Sequence, residues 1–392
     1  MVQTGLDVWV SEGFQKLRGK RVGAIVNPTS VDARFLHLAD LLARAEGVAL
    51  AALFGPEHGI RGQAQYMEAV DDAPRDPATG VPVHSLYGAT FESLSPRPEW
   101  LAGLDALVFD IQDVGSRYYT YVYTMALAMK AAARAGLPFY VLDRPNPIGG
   151  ALVEGNLAGE RYRSFVGLFS IPNRHGMTAG ELALLFNAEE RFGCELHVIP
   201  CRGWRRDMSW AQTGLAFVPP SPNMPTPDTA LVYPGMCLGE GTNLSEGRGT
   251  CRPFEQFGAP WLDARAVAER LAALDLPGVR FRPVYFTPTF DKHRGAPCGG
   301  AFIHVADPQA FRPLLTGIAV VQAARDLRPD LFAWRENAYE FVEDVPAFDL
   351  LCGTDRVRRG IDEGWPLPRL VEGFDADAAE FARRRERHLL YG

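Results

Sequence analysis

The feature that most constrains this chain is an alternation in its first half, where short apolar runs are separated by helix-length stretches. Residues 21–27 (RVGAIVN), 48–54 (VALAALF), 106–111 (ALVFDI) and 138–142 (PFYVL) read as strands, and 81–87 and 195–200 (ELHVIP) bring the number to six. Helices are predicted near 33–45, over 119–135 ending at Gly136, and over 178–192. There Thr178 followed by Glu181 three residues later forms a capping box. Strands that are apolar on both faces and alternate with helices belong to a mostly parallel sheet covered on both sides. The predicted class is therefore α/β, with a Rossmann-like sheet.

From 217 to 234 the texture changes to FVPPSPNMPTPDTALVYP, a proline-rich stretch that predicts a break in regular helix. It serves as a domain boundary or as a long surface loop. The resulting division is a Rossmann-like N-terminal domain over 1–225 and a smaller C-terminal α/β domain over 226–392. Beyond it come a glycine-rich segment (235–258), a helix near 264–274 and strands over 279–286 and 300–305. A helix over 308–325 and a charged C-terminal helix complete the series. A chain of 392 residues, 47% hydrophobic and 22% charged, fits two such domains without disulfides. Its six cysteines lack CxxC or metal-ligand spacing and read as small core residues.

The formal net charge is −7 and the longest basic block is the ARRRER run near the C-terminus, which argues against nucleic acid as a partner. No run reaches the ~18 apolar residues of a membrane span. The N-terminal segment carries no signal-like apolar stretch, so the expected location is cytoplasmic, or periplasmic or secreted if a signal peptide was removed.

Ligands of open α/β sheets bind beyond the carboxyl ends of the strands. Three of those exits carry acids beside basic or imidazole groups: Gly55-Pro56-Glu57-His58-Gly59, the run from Asp110 to Tyr119, and Asp143-Arg144-Pro145-Asn146. Glu57, framed by glycine and proline just off a buried strand, has the setting of a general acid, although it could also cap a helix or pair with Arg61. Asp110 ends an apolar strand, where an acid must be paired or used, and Arg117 is the expected partner. Of the tyrosines at 118, 119, 121 and 123, only Tyr118 and Tyr119 are expected to reach a cleft, where rings suit the apolar faces of sugars. Asp143 and Arg144 read equally well as a self-stabilised turn or as ligand contacts. Glu154 and Asn156 could address sugar hydroxyls, and His175, a lone histidine before a helix, fits a structural role somewhat better than catalysis.

A second focus is the loop GEGTNLSEGRGT at 239–250, where Glu240, Asn243, Glu246 and Arg248 offer hydrogen bonds and the glycines permit close backbone approach. It lacks the Gly-Lys-Ser/Thr of a phosphate loop, and Asn27-Pro28-Thr29-Ser30 after the first strand is no dinucleotide fingerprint. With no HExxH and no helically spaced histidine pair, neither metal nor cofactor is expected.

Five ordered segments, GKRVGAIVNPTSVD, LFGPEHGIRG, VFDIQDVGSRYYTY, LDRPNPIGG with VEGN, and YPGMCLGEGTNLSEGRGT with PFEQFGAPW, resemble the exo-β-N-acetylmuramidases of glycoside hydrolase family 171. The resemblance covers nearly the whole chain. It implies a glycosidase that releases terminal N-acetylmuramic acid from peptidoglycan fragments, working in a cleft between a Rossmann-like domain and a smaller one. It also implies Glu57 as the leading catalytic carboxyl, with Asp110, Glu154, Glu240 and Glu246 open for the second role. The alternative is a non-catalytic receptor for cell-wall sugars. Muramic acid carries a lactyl carboxylate, so an arginine is expected to read it, and Arg117, Arg144 and Arg248 are the candidates.

Overall fold

The computed structural model describes residues 1–60 and 75–392. Six strands, β1 (Arg21–Val26), β2 (Ala49–Gly55), β3 (Val83–Ser85), β4 (Ala106–Asp110), β5 (Phe139–Leu142) and β6 (Leu196–Ile199), form one parallel sheet in the order β3-β2-β1-β4-β5-β6. The order reverses between β1 and β4, which places the ligand crevice at their carboxyl ends. A smaller unit follows, with three antiparallel strands, β7 (Gln256–Ala259), β8 (Val279–Phe286) and β9 (Cys298–Val305), in the order β7-β9-β8. The two-part α/β architecture expected from the alternation is the observed one, and β7 is an element that the glycine-rich reading of 235–258 had missed.

The helix Tyr121–Ala135 ends on Gly136 at φ +66, and Ala179–Glu189 begins with the Thr178–Glu181 capping box. Every residue from Tyr121 to Met129 is buried. One apolar cluster runs from Phe109 in β4 through this helix to Phe257, Ile318 and Phe348 of the smaller unit, so the two parts share a core.

The proline-rich stretch departs from expectation. Pro227–Met236 is a helix, started by the Thr226 hydroxyl accepting from the Thr229 amide, with Pro227 in the first turn and Pro234 inside. Proline costs nothing in the first turn, where the amide has no helical partner, and that offset the breaker signal locally. Gly235 explains part of the glycine density. A side chain there would overlap the Pro313 carbonyl, and one at Gly317 would meet the Gly235 carbonyl, so the helices Pro227–Met236 and Pro313–Leu327 pack backbone to backbone. In the 239–250 loop a Cβ at Gly241 would strike Phe348. Close approach at these positions is protein to protein.

Candidate active site

A cavity opens between the carboxyl ends of the parallel sheet and the smaller unit. Its walls include Glu57 and His58 from the β2 exit, Tyr118, Tyr119 and Tyr121 from the segment entering the long helix, and Glu240, Arg248 and Glu340 from the smaller unit.

Glu57 stands on a turn closed by the Gly59 amide donating to the Pro56 carbonyl at 2.9 Å, with His58 at φ +70. Positive φ at the third turn position lets the chain reverse at once after β2. Glu57 and His58 are each 8% exposed, and the Thr120 hydroxyl donates to Glu57 Oε2 at 2.9 Å. The pairing of Glu57 with Arg61 lies outside the described residues.

Glu240 accepts from the Tyr339 hydroxyl at 2.7 Å and from the Arg248 guanidinium. Arg248 also lies 3.0 Å from Glu246 and rides over the Phe254 ring. Glu246 in turn holds Lys292 at 2.9 Å. Glu240 and Arg248 therefore form part of the cavity wall, while Glu246 supports them from behind.

Glu340 was not among the sequence candidates. It is buried, with Tyr87 donating to its Oε2 at 3.4 Å. Burial, and then the carboxylates of Glu57 and Glu240, push its carboxyl well above the ordinary range. Tyr339 and Val342 exchange both backbone hydrogen bonds around Glu340 and Phe341, at φ +45 and +68. This is the geometry of a primed hairpin turn, normally made by Asn-Gly. A glutamate and a phenylalanine forced into it cost about 1–3 kcal/mol each, strain that is typically stored at functional positions. The only hint in the sequence was an acid set between two aromatics in Tyr339-Glu340-Phe341.

Tyr119 and Tyr121 meet edge to face at 5.0 Å, and Tyr119 meets Tyr233 at 5.8 Å, lining one side with aromatic edges. Burial raises both phenols above their ordinary value, so they stay neutral donors. Tyr121 reaches the cavity although it was expected in the core. Tyr118 spends its hydroxyl on the Pro234 carbonyl.

The other candidates lie elsewhere. Asp110 forms a bidentate pair with Arg144, at 2.6 and 2.9 Å, and not with Arg117. The cause is strand adjacency: β4 and β5 are neighbours in register, so the residues just past their ends meet. Arg117 is fully buried and donates to three backbone carbonyls, Asn156, Ile171 and Leu351, at 2.7–2.9 Å. Among the described residues it has no carboxylate partner and no face on the cavity, so neither Arg117 nor Arg144 can read a ligand there. Asp143 accepts from the Thr178 and Tyr391 hydroxyls and the Gly180 amide, a structural turn. His175 sits 3.4 Å from Asp113 and accepts from the Met177 amide. Asn243 clamps the Leu331 carbonyl and the Ala333 amide, and Asn156 donates to Leu157. Glu154 accepts from the Leu315 amide at the start of the Pro313–Leu327 helix, beside a separate surface groove. Among the described residues no cluster of three or more His, Cys, Asp or Glu is placed to hold a metal, and no helix is long and apolar enough to cross a membrane.

A doubly wound sheet whose carboxyl-end crevice gathers three glutamates against a tyrosine wall defines an α/β enzyme equipped for proton transfer. Comparison with known proteins gives the family. Family models described as exo-beta-N-acetylmuramidase NamZ, N-terminal and C-terminal, match residues 22–228 and 231–391. The peptidoglycan beta-N-acetylmuramidase NamZ of Bacillus subtilis (strain 168) is 46% identical over 390 residues, covering 100% of this chain and 91% of that protein. Crystal structures of two DUF1343 family proteins from Bacteroides fragilis NCTC 9343 superpose with TM-scores of 0.89 and 0.77 at 38% and 30% identity, each covering 100% of this chain and 99% of the other. The chain belongs to the exo-β-N-acetylmuramidase NamZ family.

Glu154 makes a testable contribution away from the cavity. Burial raises its carboxyl from about 4.5 to about 7, against the opposing pull of the Leu315 amide and Arg174. A group whose folded pKa is raised stabilises the fold fully below the unfolded pKa, and the benefit is lost as pH rises through the folded one. Wild type should therefore lose up to about 3 kcal/mol between pH 4.5 and 7.5 that Glu154→Gln retains. Paired thermal melts across that range check it, and a gap independent of pH would refute it.

Proposed function

We propose that this protein hydrolyses the β-glycosidic bond of a terminal N-acetylmuramic acid in peptidoglycan-derived fragments, in cell-wall turnover or recycling. The observation that carries the reading is the cavity whose wall Glu57, Glu240 and Glu340 share, in a chain 46% identical to a peptidoglycan β-N-acetylmuramidase. Most glycoside hydrolases work with two carboxyl groups flanking one bond. A sugar receptor needs hydrogen bonds but has no use for mutually repelling buried acids. The tyrosine edges that line the cavity suit the apolar face of a sugar ring.

Glu57 is the leading catalytic carboxyl in this reading, being held at the sheet crevice by Thr120. Of the three arginines, Arg248 is the one that lines the cavity, so in this reading it meets the lactyl carboxylate from its place beside Glu240 and Glu246. The cytoplasm is the proposed location, supported by six unpaired cysteines, five of them buried. Fractionation of the native host tests it, and recovery outside the inner membrane would overturn it.

Glu57→Gln should keep the melting temperature and lower kcat on a chromogenic N-acetylmuramic acid β-glycoside by about 10²-fold or more. Turnover near wild type would remove Glu57 from the mechanism. For Arg248→Met, the ratio of kcat/KM for the muramic over the glucosamine analogue should fall about 10- to 100-fold, the worth of one charge-assisted contact. An unchanged ratio would mean that another group reads the lactyl carboxylate.

A further inference from the structure

The smaller unit contributes more than a wall to the cavity. Its 339–342 turn crosses to the sheet-bearing unit, where Phe341 lodges among Tyr87, Phe91 and Phe165 at ring separations of 6.2–6.4 Å. Tyr339 is anchored on the other side by Glu240. Between these two anchors, with positive φ on both central residues, the turn brings the Glu340 carboxyl to the cavity beside the Tyr339 phenol. Chain reversal alone would be served better by Asn-Gly, so the strain and the two anchors secure the placement of an acid.

Resting on the glycosidase reading above, we propose that Glu340 is the proton donor to the leaving glycosidic oxygen and that Glu57 is its proton-accepting counterpart. The third acid cannot fill the donor role as well, because Glu240 is matched by Arg248 and Tyr339. Glu340 has Tyr87 for a hydrogen-bond partner and faces two further carboxylates. As the bond between C1 and the glycosidic oxygen breaks, the Glu340 proton moves to that oxygen and the aglycone leaves as an alcohol. Water adds at C1 and gives up a proton to Glu57. Exchange with solvent then returns a proton to Glu340 and removes one from Glu57, so no oxidant, reductant or metal enters the balance.

The groups that face Glu340 are Glu57 and His58 on the β2 exit, Tyr87 after β3, Glu240 on the glycine-rich loop, and Arg335 and Tyr339 on its own segment. Burial, Glu57 and Glu240 push its carboxyl up, while the Tyr87 hydrogen bond and Arg335 oppose them.

The test compares two aglycones of different acidity. A 4-nitrophenyl β-N-acetylmuramide leaves with little protonation, whereas the disaccharide with β-linked N-acetylglucosamine as aglycone must be protonated. Glu340→Gln should lose about 10²-fold or more in kcat on the disaccharide and only a few-fold on the nitrophenyl glycoside. In wild type, kcat/KM on the disaccharide should decline on the basic side with a pKa above the ordinary glutamate range, and this limb should be absent with the nitrophenyl substrate. Equal losses on both substrates, no loss on either, or a wild-type profile identical for the two aglycones would overturn the assignment. The wild-type profile decides the matter even if the variant folds poorly. A wild type inactive on both substrates would instead overturn the glycosidase reading.

Discussion

Three glutamates around one buried cavity repel one another, and withdrawing them from water adds to the cost. Much of the surrounding structure consists of what offsets this. Arg248 neutralises Glu240 and is itself held by Glu246, which Lys292 ties to the carbonyls of Gly239 and Leu244. Thr120, at the start of the long helix, satisfies Glu57. Glu340 is relieved differently: burial and the carboxylates of Glu57 and Glu240 push its carboxyl up, toward the neutral form.

Such a site lies between two units and requires their seam to be rigid. Arg117 is central to that seam. Its guanidinium joins carbonyls from the 156 and 171 loops of the larger unit to Leu351 in the smaller one. A buried arginine bonded to three carbonyls is expensive to leave half-satisfied, so the loops and the Ala347–Cys352 helix hold together or separate together. The C-terminus adds a second clasp, as Tyr391 donates to Asp143 and Arg385 to the carbonyls of His175 and Gly176. Asp143, His175 and Asn156 belong to this framework. Polar residues at strand exits serve both purposes, and local sequence does not distinguish them.

Features governed by neighbours along the chain are legible in the amino-acid order. Apolar runs specified β1 to β6, Gly136 and the Thr178–Glu181 pair marked helix ends, and the Pro-Glu-His-Gly turn put Glu57 at a carboxyl-end crevice. Each depends on hydrophobic period, capping or turn chemistry within a few residues. Tertiary structure alone decided the pairings. Asp110 took Arg144 because β5 lies beside β4, a choice set by strand order. Glu340 entered the cavity although 253 positions separate it from Tyr87, because aromatic packing of Phe341 and the Tyr339–Glu240 bond bring its turn across. Contacts of that kind depend on the packing of two units against each other, and no periodicity or spacing within either segment encodes them.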